Sequence, residues 1–168
     1  MLNDYIKLNQ VLDFKENRLN RQKAAIKMYK VPIICFTLNT PGPYKRFPLV
    51  DKTFKEGEEL ILNQLRQYNV KVINTIKTDD PAGLETIYSV DGDALFIKEI
   101  LIMIEEGVSI GRLFDIDVLD LNLNHISRKE LGKEKRKCLL CNKDAFICSR
   151  ARSHSAEDLL HEITNIME

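Results

Sequence analysis

Phe114-Asp115-Ile116-Asp117-Val118 alternates apolar and acidic residues. A period of two belongs to a β-strand, whose successive side chains point to opposite faces. The chain must therefore build a sheet with Phe114, Ile116 and Val118 packed on one side and two carboxylates sharing the other. Like charges that close repel unless a cation stands between them. Mg2+ takes one or two carboxylates together with substrate phosphates, so the pattern points to a divalent-metal site for phosphoryl or nucleotidyl transfer. A strand with one solvated face gives the same pattern without a metal. Asp91, Asp120 and Glu85 are candidates for a further carboxylate ligand, and spacing does not choose among them.

The flanking pattern supplies the sheet. Apolar spacing predicts helices over Glu16 to Tyr29, Asp51 to Gln67 and Asp93 to Glu105. It predicts strands over Val31 to Leu38, Val70 to Lys77, Glu85 to Val90 and Arg112 to Leu119, with a turn at Asp79 to Gly83. His125 to Ser127 can pair back as a hairpin, and Ala156 to Met167 is a short amphipathic helix. From Val31 onward the order is strand, helix, strand, strand, helix, strand. That is a split βαβ pattern, and a nucleotidyltransferase-like core fits it equally. The expected fold class is α/β (α+β), a single domain of 168 residues with a mixed sheet. An N-terminal helical segment (1–30) precedes the core (31–128), and a basic Cys-rich arm with a terminal helix (129–168) follows it.

Formal net charge is zero, which argues against bulk affinity for nucleic acid. The charge is uneven, however. Ser127 to His154 holds nine Lys or Arg against three acids, and Ser155 to Glu168 holds four acids and no Lys or Arg. A local basic segment suits a polyanionic small molecule or an acidic protein. No apolar run approaches the roughly 20 residues that span a bilayer, and Met1 to Lys30 lacks a signal-peptide core. The expected location is the cytoplasm, with no membrane partner and reduced cysteines.

Within the arm, Cys138, Cys141, Cys148 and His154 form Cys-x2-Cys-x6-Cys-x5-His. The pattern resembles a structural Cys3His zinc site that would hold the arm in place; buried, inert cysteines are the alternative. Arg128, Arg136, Lys137, Arg150 and Arg152 surround it. On an extended segment Arg150 and Arg152 would face one way, as a phosphate-binding wall. Gly111 permits close backbone approach to a ligand, and Arg112 can clamp a phosphate. Lys45 stands on the loop Thr40-Pro41-Gly42-Pro43-Tyr44-Lys45 at the end of the first strand, where it can reach an anion. No internal nucleophile with a paired base is visible, and the histidines look isolated.

Four blocks in register carry a resemblance over nearly the whole chain. They are Phe36 to Lys45, Gly111 to Val118, Ile126-Ser127-Arg128, and Arg136 to Cys141 running on to Cys148 through His154; Val11 to Gln22 adds a Glu-x-Arg helix. The chain resembles the apo-citrate lyase phosphoribosyl-dephospho-CoA transferases, the holo-acyl-carrier-protein synthases of citrate lyase. The resemblance implies transfer of phosphoribosyl-dephospho-CoA from triphosphoribosyl-dephospho-CoA to a serine of the acyl-carrier (gamma) subunit, with release of diphosphate. It implies that Asp115 and Asp117 bind Mg2+ and help deprotonate the serine, while Arg112 and Arg128 steady the triphosphate. Lys45, Arg150 and Arg152 would meet substrate phosphates, or the two arginines would meet the acidic carrier. One departure is the turn Asp120-Leu121-Asn122-Leu123-Asn124, where the family often turns with Gly; Asn can supply the left-handed backbone instead. The competing reading is a zinc-stabilised, non-enzymatic adaptor for an acidic partner.

Overall fold

The computed structural model describes residues 6–42 and 45–168. Pro43 and Tyr44 of the expected rigid loop lie outside the described residues. Helix α1 is Leu8–Tyr29, strand β1 Ile33–Leu38, helix α2 Pro48–Gln67, strand β2 Lys71–Asp80 and strand β3 Gly83–Asp91. Helix α3 is Ala94–Gly107, strand β4 Phe114–Leu119, helix α4 Ala145–Ala151 and helix α5 Ala156–Met167.

The strands lie in the order β2-β3-β1-β4, and every neighbouring pair is antiparallel. This is the split βαβ arrangement: β1, α2 and β2 form the crossover, and β3 inserts between its two strands. The sheet is therefore wholly antiparallel and not mixed, because the insertion of β3 keeps the parallel pair β1 and β2 apart.

One face of the sheet is dry. Ile34 and Phe36 of β1, Tyr88 and Val90 of β3, and Ile116 and Val118 of β4 meet Phe54, Ile61 and Leu65 of α2 and Ile97, Leu101 and Ile104 of α3. Phe36 stacks on Phe54 at 4.7 Å and meets Phe114 edge-on at 5.2 Å. Gly57 of α2 lies over this cluster so closely that a Cβ would stand 2.4 Å from Phe36 Cζ. Helix α2 opens on Pro48, whose missing N–H costs nothing in the first turn. The Asp93 side chain accepts from Phe96 N at 2.9 Å to cap α3.

The other face is covered by α1 through Ala25 and Ile26 on Ile33, Cys35, Ile87 and Leu119. Helix α1 starts at Leu8, ahead of the expected Glu16, because its first turns also have something to bury: Phe14 packs with Ile6 and Ala82. Arg112 is not on the strand as expected. Ser109–Leu113 is a 3-10 turn, and β4 begins at Phe114. Gly111 makes this turn possible, since a Cβ there would stand 2.3 Å from the Ile104 carbonyl oxygen of α3.

Beyond β4 the chain does fold back: Ile126 N donates to Val118 O at 2.9 Å, and Leu119 bridges His125. The left-handed residue of that turn is Leu123 (φ 65) and not an asparagine. Asp120 accounts for this, because its carboxylate accepts from the backbone N–H groups of Asn122 and Asn124 and from the Asn124 side chain. Leu123 gains by packing against the α1 face.

Strand β4 is an edge, and its outward carbonyls are all met. Phe114 O accepts from Arg136 at 2.5 Å, Ile116 O from the buried ammonium of Lys98 at 2.6 Å, and Val118 O from Ile126. Loss of water pushes the Lys98 ammonium below the ordinary lysine range.

Candidate functional site

Strand alternation places Asp115 and Asp117 on the α1 face, as the period of two predicts. They stand opposite Thr37 and Cys35 of β1. Thr37 Oγ1 lies 3.5 Å from an Asp115 carboxylate oxygen. Partial burial, and then the charge of Asp115, hold the Asp117 carboxyl above the ordinary aspartate range. The two acids thus form a repulsive pair, as the sequence implies. His125, which looked isolated, is brought by the Asp120–Asn124 turn to within 3.7 Å of Asp117. Cys35 between them is inert: burial pushes its thiol up to about 12.

A cavity of about 240 Å3 opens beside Asp115, between α1 and the end of β1. Lys15, Arg18 and Lys45 line it together with Thr37 and Asn39. Lys45 donates to the Thr40 carbonyl. Burial, and then the Lys15 charge, lower its pKa. Lys15 and Arg18 were invisible as site residues because they lie about a hundred positions from Asp115 in sequence; the Glu-x-Arg run on the first helix was the signal that could have found them.

The candidate further carboxylates go elsewhere. Glu85 lies on the same face but is fully buried between Arg18 and Arg21, with Arg21 Nη2 at 2.7 Å. Asp120 holds its turn, and Asp91 sits exposed at the far end of β3. Arg128 is also occupied: its guanidinium bonds Glu105 and Glu106 of α3, the latter at 2.8 Å. Gly111 faces the α3 backbone and not a ligand.

The arm builds a second centre. The Arg136–Ala145 stretch folds as a knuckle, with Cys138 N donating to Lys143 O at 2.8 Å and Ala145 N to Arg136 O at 2.9 Å. Asp144 then caps α4, which carries Cys148. Arg152 ends α4 in the left-handed conformation (φ 47), and the chain turns back so that His154 rejoins the knuckle. The ligand atoms of Cys138, Cys141, Cys148 and His154 all lie within 4.8 Å of one another. Zn–S bonds of about 2.3 Å need this spacing. His154 Nε2 is buried with no hydrogen-bond partner, the state of a nitrogen that faces an ion. Among the described residues this is the one group of three or more metal-ligating side chains gathered so closely.

Because α4 is a helix, Arg150 and Arg152 diverge and do not form a single wall. Arg150 stacks over Phe146 at 5.3 Å. Arg152 turns toward a larger cavity of about 360 Å3, where it meets Arg112, Arg136 and Lys137. Arg112 is steadied there by donating to Cys138 O at 3.3 Å. Asn39 lines both cavities, so the loop after β1 separates them.

Residues 6–168 match a family model described as apo-citrate lyase phosphoribosyl-dephospho-CoA transferase. A probable apo-citrate lyase phosphoribosyl-dephospho-CoA transferase of Vibrio cholerae is 31% identical over 94% of this chain and 89% of its own length. An Escherichia coli protein named apo-citrate lyase phosphoribosyl-dephospho-CoA transferase is 28% identical over 96% of this chain and 88% of its own. Protein CitXG of Haemophilus influenzae is 28% identical over 97% of this chain, which spans only 35% of that longer protein. No described helix is long and apolar enough to cross a membrane.

Proposed function

Since the chain belongs to the apo-citrate lyase phosphoribosyl-dephospho-CoA transferase family, we propose that it transfers phosphoribosyl-dephospho-CoA from triphosphoribosyl-dephospho-CoA to a serine hydroxyl of the citrate lyase acyl-carrier subunit. The serine oxygen bonds to the phosphorus nearest the ribose, the bond from that phosphorus to the next phosphate breaks, and diphosphate leaves. Chemically this is a nucleotidyl-type transfer. The observation that carries it is the Asp115–Asp117 pair, set on one strand face beside a cavity that also holds Lys15, Arg18 and Lys45. An adaptor has no use for two repelling carboxylates there, and the family match gives that alternative no support.

Asp115 and Asp117 are hard oxygen donors and fit Mg2+, which would neutralise phosphate charge at this point. The two carboxylates also accept the serine proton, with His125 close behind Asp117. Lys15 and Lys45 orient the triphosphate, and Arg18, whose Nε bonds Glu85, adds its remaining N–H donors. Arg128 ties the arm to α3 through its two carboxylates, and Arg150 faces outward, where it suits the acidic carrier. The Cys3His cluster fits zinc, whose four filled positions give it a structural role. The reading assigns the reaction to the cytoplasm, which suits the free cysteines of the arm.

Intact mass of the apo carrier subunit, incubated with this protein, triphosphoribosyl-dephospho-CoA and Mg2+, tests the reading. A gain equal to phosphoribosyl-dephospho-CoA is expected. Asp115→Asn/Asp117→Asn should lower the rate by at least about 1,000-fold with the fold unchanged. A double variant that modifies the carrier at the parent rate refutes the metal assignment, and no gain with folded protein refutes the transferase.

A further inference from the structure

The substrate of the proposed reaction carries phosphate at two separated places. The triphosphate is on the added ribose and is cleaved. A diphosphate joins the adenosine to the pantetheine and passes through the reaction intact. A single cationic site does not serve both.

The protein has two cavities that share Asn39, and they differ in chemistry. The smaller one holds Asp115. The larger one has four cationic side chains, Arg112, Arg136, Lys137 and Arg152, and no carboxylate in its lining. Among the described residues none of these four forms an ion pair, although the chain has as many acids as bases. Two of them are fixed by backbone carbonyls, Arg112 by Cys138 O and Arg136 by Phe114 O, and each keeps further N–H donors. Apolar Leu139, Leu159 and Ile163 complete the lining. A cavity of about 360 Å3 is large enough for a small-molecule ligand. Cations without an acid suit a phosphate that is held and not cleaved, because no metal is needed there.

Resting on the transferase reading, we propose that the larger cavity seats the dephospho-CoA part of the substrate. Arg112, Arg136 and Arg152 grip its diphosphate, and Leu139, Leu159 and Ile163 cover its apolar portion. The Cys3His cluster then has a second consequence. Cys138, Cys148 and His154 form one wall of this cavity, so the knuckle shapes the substrate site as well as the arm.

Dephospho-CoA itself is the probe, because it lacks the triphosphoribosyl group. Titration calorimetry with the metal-replete chain, without added Mg2+, should show one site. Arg152→Gly removes the side chain while keeping the left-handed backbone that glycine accepts. It should weaken dephospho-CoA by about tenfold or more, with metal content and melting unchanged. Lys15→Ala, in the smaller cavity, should leave that affinity as it is. Absence of dephospho-CoA binding, an Arg152→Gly protein that binds like the parent, or loss of binding in Lys15→Ala each overturns the proposal. Carrier modification measured in parallel separates the two ideas. Transfer that is indifferent to Arg152 removes the subsite and keeps the transferase, whereas Arg152-dependent binding with no transfer keeps the subsite and removes the transferase.

Discussion

The sandwich and the arm reach rigidity by different means. Around Phe36 the sandwich buries aromatic and aliphatic side chains from both helices and three strands. The arm (129–168) buries little: Cys138, Cys148, Ile163 and Met167 are its buried apolar residues. Its terminal helix packs Ile163 and Met167 on Val50 and Leu113, and polar contacts order the rest, namely Arg128 on two glutamates, Arg136 on a strand carbonyl and a gathered set of thiols. A segment with too few apolar groups to offset the entropy of ordering needs a cross-link, and a metal knuckle supplies one without an oxidising compartment. The site draws on both regions: the strand acids come from the sandwich, and most of the cations of the larger cavity come from the arm.

Three experiments test this division. The largest effect is expected from Phe36→Ala, which empties the space between Phe54, Phe114 and Gly57. Its cost is about 3–5 kcal/mol in denaturant unfolding. A much smaller cost would mean that the sandwich does not depend on that cluster. Next, a chelator should release the arm and spare the sandwich. Hydrogen-exchange protection from Cys138 to His154 should fall by at least about tenfold, while the amides of β1 and β3 keep theirs. Simultaneous loss in both would make the two regions one cooperative unit.

The smallest effect concerns Asp117. Its carboxyl is held above the ordinary value by burial and by Asp115. The native form therefore keeps a proton that the unfolded chain has already released, and this stabilisation is lost as pH rises through the raised value. Asp117→Asn removes that loss. Its melting temperature should exceed the parent's slightly at neutral pH, and the difference should vanish below about pH 4, where both states of the parent are protonated. Equal melting at all pH values would mean that the carboxylate is not strained in the fold.

Local patterns carried most of the fold. The period of two in β4, the end of α2 at Gln67 and the limits of α5 can all be read from neighbouring residues, whereas α2 starts at Pro48, three residues ahead of the expected Asp51. The early start of α1 could not, because the reward for Phe14 is contact with Ala82, far along the chain. For the same reason the sequence puts Arg112 on the strand: the Ile104 carbonyl that leaves room only for glycine at position 111 belongs to another element. In the site, the Asp pair and the cysteine spacing were legible as short-range signals. The helix at Ala145–Ala151, which parts Arg150 from Arg152, has only seven residues and too little periodicity to be read. The cations beside Asp115 come from α1 and are joined to it only by the tertiary fold.

The edge of β4 also has a history in time. During synthesis Lys98 emerges before the strand, and Ile126 and Arg136 emerge after it. The middle carbonyl is met by a residue that precedes the strand, while those of Val118 and Phe114 are met by residues of the later hairpin and knuckle. A chain ending between Leu119 and Arg136 would leave part of this strand edge bare to other molecules. The hairpin and the start of the knuckle thus shield the strand that bears the two aspartates from pairing with another chain.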